Sequence, residues 1–181
     1  MHLIHASTVT EAAYLDYITE WEAAQERIVP GAIARKGQAF ADVTQRWAAE
    51  ECEAISAQGL VPATLYFLAS GERLLGAIHH RHRLNATLEH IGGHIGYGIR
   101  PSERGKGYAP HMLHLLLRQL AGQGLAQVLI TCDDNNLGSI RTIERNQGRL
   151  ENCVLNEGIL KRRYWIDLSH LCKEASDVHN S

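Results

Sequence analysis

Hydrophobic residues recur at helical spacing in the first third of the chain and in short continuous runs after it. Apolar residues three or four positions apart predict helices over 10–26 and 39–57. Two apolar runs then predict strands over 64–68 and 74–81, and the turn at Gly71 between them is typical of an antiparallel hairpin. The pattern therefore places two helices before the start of a sheet.

Strands and helices alternate in the rest of the chain. The predicted elements are a short helix over 85–90, a strand over 94–100, a helix over 107–121, a strand over 128–131, a helix over 136–146, and closing strands over 149–155 and 159–168. This order predicts an α/β (α+β) fold with a mixed, mostly antiparallel central sheet and helices on both faces. Residues 1–170 are predicted to form one domain with its core in 60–168, followed by a polar C-terminal tail over 171–181.

Composition excludes some partners. The chain has 181 residues and a formal net charge of −2, which provides no general basic surface for nucleic acid. Its four cysteines have no C-x-x-C spacing, which favours a reducing, cytoplasmic location over a disulfide scaffold. The sequence has no signal-peptide pattern and no apolar run of membrane-spanning length. We therefore expect neither nucleic acid nor a membrane as a partner.

A basic turn that contains glycine is the clearest candidate binding site. The turn reads Arg104-Gly105-Lys106-Gly107-Tyr108-Ala109, follows a predicted strand and opens a predicted helix. The backbone N–H groups of such a turn converge with the positive end of the helix dipole. Gly105 and Gly107 permit a positive φ, while Arg104 and Lys106 add positive charge. The turn is therefore predicted to bind a phosphate or pyrophosphate group.

Two common nucleotide motifs do not fit this turn. Gly107 follows Lys106, where a P-loop has a Ser or Thr that reaches Mg²⁺. Gly96 and Gly98 are followed by Pro101, where a dinucleotide fingerprint has its third glycine. The pattern that remains is Arg-x-x-Gly-x-Ala.

That pattern, within residues 96–109, resembles the pyrophosphate-binding motif of the GCN5-related N-acetyltransferase (GNAT) family. The stretch 130–139 resembles the next strand and helix of the family, and the strings at 81–85 and 91–97 resemble a bacterial subgroup of predicted acetyltransferases. The resemblance covers residues 60–168 and implies a sheet with a splayed strand pair that binds acetyl-CoA as cosubstrate. It implies an acyltransferase that transfers an acetyl group directly to a primary amine of a small molecule or peptide, and a homodimer is common in the family.

The resemblance also implies where the cofactor lies. The backbones of Tyr97 and Ile99 would pair with pantetheine, with the Ile99 N–H as the oxyanion donor. Asn136 and Ser139 would lie along the cofactor, with Asn136 at the pantetheine arm. The predicted cofactor-binding residues are Tyr97, Ile99, Arg104, Gly105, Lys106, Gly107, Tyr108, Ala109, Asn136 and Ser139.

The catalytic residues are less clearly indicated. An amine is mostly protonated at neutral pH, so a general base is useful, and His94 is the first candidate and Glu89 the second. Many family members have a tyrosine as general acid seven residues after the conserved asparagine, where this chain has Ile143. Ile143 cannot donate a proton, so Tyr164, Tyr97, water or unassisted departure of the thiolate all stay open.

Other function classes stay open as well. Ile143 is compatible with a non-catalytic domain that binds or senses acyl-CoA. The histidines raise the alternative of a metal-dependent hydrolase, but their spacing matches no metal motif and no metal is expected. Strand alternation places His80 and His82 on one face and His79 on the other. Cys132 lies in an apolar strand and is predicted to be a buried structural thiol. The sequence does not identify the acceptor.

Overall fold

The computed structural model describes residues 1–171. Its strands are β1 (His2–His5), β2 (Ala63–Ser70), β3 (Arg73–Arg81), β4 (Ile95–Ile99), β5 (Gln127–Asp133), β6 (Arg149–Asn156) and β7 (Ile159–Asp167). Its α-helices are α1 (Glu11–Ala23), α2 (Phe40–Glu51), α3 (Ala86–His90), α4 (Tyr108–Gly122) and α5 (Leu137–Arg145). Of the predicted tail, Leu171 is buried, and 172–181 lie outside the described residues.

The strands form two antiparallel sheets that lie side by side. One has the order β1-β2-β3-β4 and the other has the order β5-β7-β6. The sheets meet at a bridge between Gly93 and Ile130, next to a 2.7 Å hydrogen bond from the His94 N–H to the Leu129 carbonyl. Within the described chain no ladder joins β4 to β5 beyond this bridge. The predicted splayed strand pair is confirmed, and it leaves a gap in the sheet.

Helices cover both faces of the first sheet, as predicted. Period-2 alternation along β3 directs Ile78 into a core with α4 and Ala77 into a core with α1 and α2. The α4 side contributes Met112, Leu113, Leu116, Leu117 and Leu120. The α1–α2 side is richer in aromatic residues and contains Tyr14, Tyr17, Trp21 and Trp47 together with Phe67 of β2. Each face of the sheet is therefore buried.

Two elements differ from the sequence prediction. Strand β1 was not predicted, because its four residues become a strand only by pairing with β2, where His2 lies opposite Ala69. The second predicted helix ends at Glu51, and a 3-10 segment, Glu53–Gln58, follows it. The last turn of α2 has acidic residues and no basic one, an arrangement that the helix dipole disfavours.

A buried arginine fixes helix α1 to the end of β4. Arg100 is 3% exposed, and its guanidinium donates to Asp16 and to Glu20 at 2.7 Å each. The other oxygen of Glu20 accepts the Ser102 N–H at 2.6 Å. The hydrogen bond from Arg100 lowers the pKa of Asp16. Helix α1 therefore holds the chain where β4 leads into the basic turn.

Candidate active site

The backbone of β4 offers hydrogen-bonding groups to the gap. Arg100 donates its N–H to the Leu75 carbonyl of β3 at 3.0 Å, so the even-numbered positions of this segment face β3. Tyr97 and Ile99 therefore direct their N–H and C=O groups toward β5, where no ladder meets them. The Ile99 carbonyl accepts the Arg104 Nε–H at 3.1 Å. The N–H groups of Tyr97 and Ile99 are left for a ligand that inserts between the sheets.

The basic turn presents a row of backbone donors. Within residues 1–171, the N–H groups of 105–109 have no hydrogen-bond acceptor. Gly105 and Gly107 have φ values of +77° and +82°, which direct these groups to one side. Helix α4 begins at Tyr108 and has no side-chain cap. Unpaired donors at the positive end of a 15-residue helix form a binding site for an anion.

Both cations of this turn are paired with carboxylates. Arg104 Nη1 donates to the two oxygens of Glu26 at 3.0 and 2.7 Å, and its guanidinium lies 4.9 Å from the centre of the Trp21 ring. Lys106 Nζ donates to Glu103 at 2.8 Å. An incoming phosphate therefore competes with carboxylates for these two cations, and the backbone donors are its uncontested partners.

A cavity of about 580 Å³, named here the gap cavity, extends from this turn along the gap. Nine of the ten predicted cofactor-binding residues line it, and Lys106 is the exception. Three further cations line it that sequence reasoning missed: Arg27, Arg141 and Arg145. None of the three has a carboxylate partner within residues 1–171, and Arg141 and Arg145 share a face of α5 because they are four residues apart.

Tyr97 spans the gap beneath this cavity. Its hydroxyl lies 2.8 Å from Ser139 Oγ, and burial raises its pKa. Asn136 Oδ1 accepts the Ser139 N–H at 3.0 Å and so caps α5, while its side chain also lines the gap cavity. Asn136 therefore combines a capping position with access to a ligand.

A second cavity, of about 590 Å³, lies on the α1–α2 side of β4. Arg27 and Val29 line both cavities, so the segment that contains them separates the two spaces. The Val29 carbonyl oxygen would lie 2.2 Å from a Cβ atom on Gly98, so a side chain there would displace the segment. Gly96 lines the second cavity and Gly98 lines the gap cavity. The two cavities therefore lie side by side along the glycine-containing part of β4, with the segment that contains Arg27 and Val29 as their shared wall.

A carboxylate and an imidazole lie together in the second cavity. His79 Nε2 is 3.2 Å from Glu50 Oε2, although the angle is not that of a hydrogen bond. His79 lies opposite Gly96 in the β3–β4 register, so the two residues share a face of the sheet. The pair can accept a proton within the second cavity, close to Gly96. Sequence reasoning did not select it, although strand alternation already separated His79 from the other histidines of β3.

None of the three predicted catalytic residues lines either cavity. His94 is 9% exposed, its Nδ1 accepts the Leu129 N–H at 2.9 Å, and burial lowers its pKa. Glu89 is exposed on α3. Tyr164 is 1% exposed and donates to Glu144 at 3.3 Å. These positions place His94 between the two sheets and Tyr164 in the core, away from the space where a ligand fits.

Ile143 and Cys132 are core residues. Ile143 is fully buried, and a Cβ on Gly148 would lie 2.3 Å from its Cγ2 atom. Cys132 is 7% exposed, and burial raises the pKa of its thiol to about 11, which disfavours a thiolate nucleophile. Among residues 1–171, no group of three or more His, Cys, Asp or Glu side chains is arranged to hold a metal ion.

A family model described as "Acetyltransferase (GNAT) domain" matches residues 7–149. The chain therefore belongs to the GNAT acetyltransferases, as the resemblance of its basic turn predicted. It is an acyltransferase that uses acetyl-CoA. The comparison with curated protein sequences gives no match.

Solved structures share the fold at low sequence identity. The acetyltransferase from Salmonella typhimurium that modifies the N-terminal serine of ribosomal protein L7/L12 is 18% identical, with a TM-score of 0.58 over 91% of this chain and 93% of that one. A spermidine N-acetyltransferase chimera of Vibrio cholerae SpeG and hSSAT is 12% identical, with a TM-score of 0.63 over 94% and 99%. The acetyltransferase yncA from Salmonella typhimurium, solved with acetyl-CoA, is 14% identical, with a TM-score of 0.59 over 92% and 93%.

No helix among residues 1–171 has both the length and the apolar character needed to cross a membrane.

Proposed function

We propose that this chain transfers the acetyl group of acetyl-CoA directly to a primary amine that enters the second cavity. One observation carries the proposal: two cavities of similar volume lie side by side at β4 and share the wall formed by Arg27 and Val29, and one of them is lined by nine of the ten predicted cofactor-binding residues. A thioester in the gap cavity and an amine in the second cavity would approach each other near Gly96. Holding both reactants at one point removes much of the entropic cost of a two-substrate reaction.

The gap cavity offers partners for the pyrophosphate, the pantetheine arm and the thioester of acetyl-CoA. The pyrophosphate accepts hydrogen bonds from the N–H groups of residues 105–109, which are unpaired within the described chain. The cations without carboxylate partners, Arg27, Arg141 and Arg145, balance the phosphate charge. Pantetheine pairs with the backbone of β4, and the Ile99 N–H stabilises the charge that develops on the thioester oxygen.

The reaction needs a base, and we assign that role to the Glu50–His79 pair because it lies in the second cavity. The acceptor arrives as an ammonium ion and gives one proton to this pair, and the free amine nitrogen attacks the thioester carbonyl carbon. The tetrahedral intermediate collapses as the carbon–sulfur bond breaks, and the nitrogen loses a second proton. The products are the acetylated amine and the coenzyme A thiolate, which takes up a proton, so one proton is released to solvent overall.

We assign protonation of the leaving thiolate to Tyr97 or water. Tyr97 lines the gap cavity and carries its hydroxyl proton at neutral pH, and because burial raises its pKa and so weakens it as an acid, water is the alternative donor. Tyr164 stays a prediction, but its position under Glu144 does not support it. His94 and Glu89, first considered as bases, lie outside the two cavities, and we propose that His94 instead fastens β4 to β5.

The test is turnover of acetyl-CoA by the purified protein with a panel of primary amines, read as release of free thiol. The panel includes spermidine and a peptide with an N-terminal serine, the acceptors named for two structural neighbours. Thiol release with at least one amine, and a product heavier by one acetyl group, are expected. Tight binding of acetyl-CoA without turnover of any amine would instead favour a non-catalytic acyl-CoA-binding domain, the alternative that Ile143 suggests.

We also propose a cytoplasmic location, because Cys52, Cys132 and Cys153 are free thiols. We propose no nucleic-acid or membrane partner. Homodimer formation stays a prediction, and light scattering of the purified protein would check it.

A further inference from the structure

We propose that the acceptor carries an anionic group close to its amine, with Arg81 binding the anion beside the Glu50–His79 pair. This inference rests on the proposed function and specifies its substrate class. The acceptor would be an amino acid, or a peptide whose first residues carry a carboxylate. The shared chemistry is an amine and a carboxylate separated by a few bonds.

Arg81 is the residue that would bind the anion. It ends β3, is half-buried and lines the second cavity. Its Nη1 donates to the carbonyls of Gly92 and Gly93 at 3.0 Å each, which fixes the guanidinium plane. Its Nη2 lies 3.8 Å from where a Cβ atom on Gly96 would be, so this donor faces the bare backbone of β4.

No carboxylate pairs with Arg81 among residues 1–171. A half-buried guanidinium whose hydrogen-bond partners are neutral carbonyls has no carboxylate in direct contact to balance its charge. Burial lowers the pKa of Arg81, and the Glu50 carboxylate opposes that shift. A ligand anion would supply the missing partner, and a planar guanidinium suits a carboxylate or phosphate.

The charge of the whole cavity agrees with this assignment. Four cations line it, namely Arg27, Lys36, Arg46 and Arg81, whereas Glu50 is its one carboxylate among the residues that the structure describes. Arg46 is occupied by the carbonyls of Ala32 and Ala34 at 3.1 and 2.7 Å, and Lys36 is exposed at the rim. This field attracts an anionic acceptor and repels a polyamine.

The spacing of Arg81 and His79 sets the size of the acceptor. They are two residues apart on β3, so their side chains share a face and their Cα atoms are about 6.6 Å apart. A ligand with its anion on Arg81 can therefore place an amine at the Glu50–His79 pair only if a few bonds separate the two groups. An α-amino acid meets this requirement, and so does an N-terminal residue next to an acidic side chain.

The experiment compares acceptors that differ only in the anion. Free L-serine and L-leucine are compared with their amides, a peptide beginning Ser-Asp with one beginning Ser-Asn, and spermidine is the cationic probe. Calorimetric titration into protein saturated with coenzyme A measures binding, and thiol release from acetyl-CoA measures turnover. We expect the acid of one pair to bind about 10- to 100-fold more tightly than its neutral counterpart, the scale of a charge-assisted hydrogen bond. If the amino acids are preferred over their amides, the acceptor is a free amino acid; if the Ser-Asp peptide is preferred over the Ser-Asn peptide, it is a peptide.

Arg81→Gln should abolish this preference and leave coenzyme A affinity unchanged, which also reports that the variant is folded. Arg118→Gln, at an exposed position on α4 outside both cavities, is the matched control and should keep the preference. If Arg81→Gln does not fold, the acid–amide comparison in the wild type, with its loss at high salt, decides the question.

The outcomes separate this inference from the proposed function. Turnover that favours spermidine, or that treats acids and amides alike, would overturn the anion site and leave the acetyltransferase proposal standing. Acid-selective binding that depends on Arg81, without turnover of any amine, would support the anion site and overturn the proposed function. Absence of acid-selective binding overturns the anion site whether or not turnover occurs.

Discussion

Arg104 donates two hydrogen bonds to the carboxylate of Glu26, at 3.0 and 2.7 Å, on the rim of the gap cavity. The cation that the sequence motif places on the pyrophosphate is therefore already neutralised by a residue that follows α1. A phosphate that binds here must compete with Glu26, so we expect changes to either member of this pair to alter coenzyme A affinity.

Removing the charge of Arg104 and removing that of Glu26 should change coenzyme A affinity in opposite directions. Arg104→Ala should weaken coenzyme A binding by about 1–3 kcal/mol, because a charge-assisted contact to phosphate is lost. Glu26→Gln should strengthen binding, because the competing charge is gone. Calorimetry measures both, and equal affinity in Arg104→Ala and the wild type would remove Arg104 from the phosphate site.

Gly98→Ala should displace the segment with Arg27 and Val29 that separates the two cavities. The new methyl group would lie 2.2 Å from the Val29 carbonyl oxygen, so either the strand or the segment must move. We expect a loss of about 1–3 kcal/mol in the free energy of unfolding and a higher KM for acetyl-CoA. Gly122→Ala, with no atom within 4 Å of its new Cβ, is the control and should be neutral or slightly stabilising. Two variants of equal stability would contradict the close contact.

Arg100→Met should be strongly destabilising. The change removes a guanidinium that is 3% exposed, so Asp16 and the Leu74 carbonyl lose this donor and Glu20 keeps only its hydrogen bonds from Ser102. A loss of about 3 kcal/mol in urea unfolding is expected for a broken buried ion pair. Arg73→Gln, which removes an ion pair of a half-exposed side chain, should cost less than about 1 kcal/mol. A small effect of Arg100→Met would mean that helix α1 is held to β4 by packing alone.

Stability should fall as the pH is lowered below about 6.5, and His80 should account for part of the fall. Burial, followed by neighbouring histidines and Arg81, lowers the pKa of His80 to about 3. Below pH 6.5 the unfolded chain gains a proton that the folded chain does not bind until near pH 3, so stability present at higher pH is lost across this window. The loss approaches about 1.4 kcal/mol per pH unit for one such group.

His80→Leu should flatten this dependence, measured as the free energy of unfolding between pH 7 and 4. It also removes Nε2, a buried nitrogen without a hydrogen-bond partner in the described chain, so stability at pH 7 should not fall greatly. An unchanged pH dependence would show that His80 takes up its proton over the same pH range in the folded protein as in the unfolded chain.

The two histidine candidates for the base make different predictions. His79→Asn and Glu50→Gln should each lower kcat by about 10²-fold or more. His94→Ala should lower the melting temperature, because the Leu129 N–H loses its acceptor, and should leave the shape of the pH–rate profile unchanged. A changed profile in His94→Ala alone would restore the base role that the sequence suggested.

Local sequence patterns found residues that line the gap cavity, but none of the catalytic residues they suggested lines either cavity. The turn at residues 104–109 and the strand before it are contiguous, so a motif encodes their geometry directly. Glu50 and His79 come together only when α2 packs against the sheet, a tertiary contact that no spacing in the sequence reports. His94 was selected because it lies on the motif strand, but its ring is turned between the sheets toward Leu129. Strand β1 was missed for a similar reason, since it pairs with β2, where His5 lies opposite Tyr66 and His2 opposite Ala69.

The segment that contains Arg27 and Val29 touches both cavities at once. On the proposed function no acetyl-enzyme intermediate forms, so both substrates must be bound before either product is released. Double-reciprocal plots of initial velocity should therefore give intersecting lines. Each substrate should also alter the apparent affinity for the other, because the segment with Arg27 and Val29 contacts both.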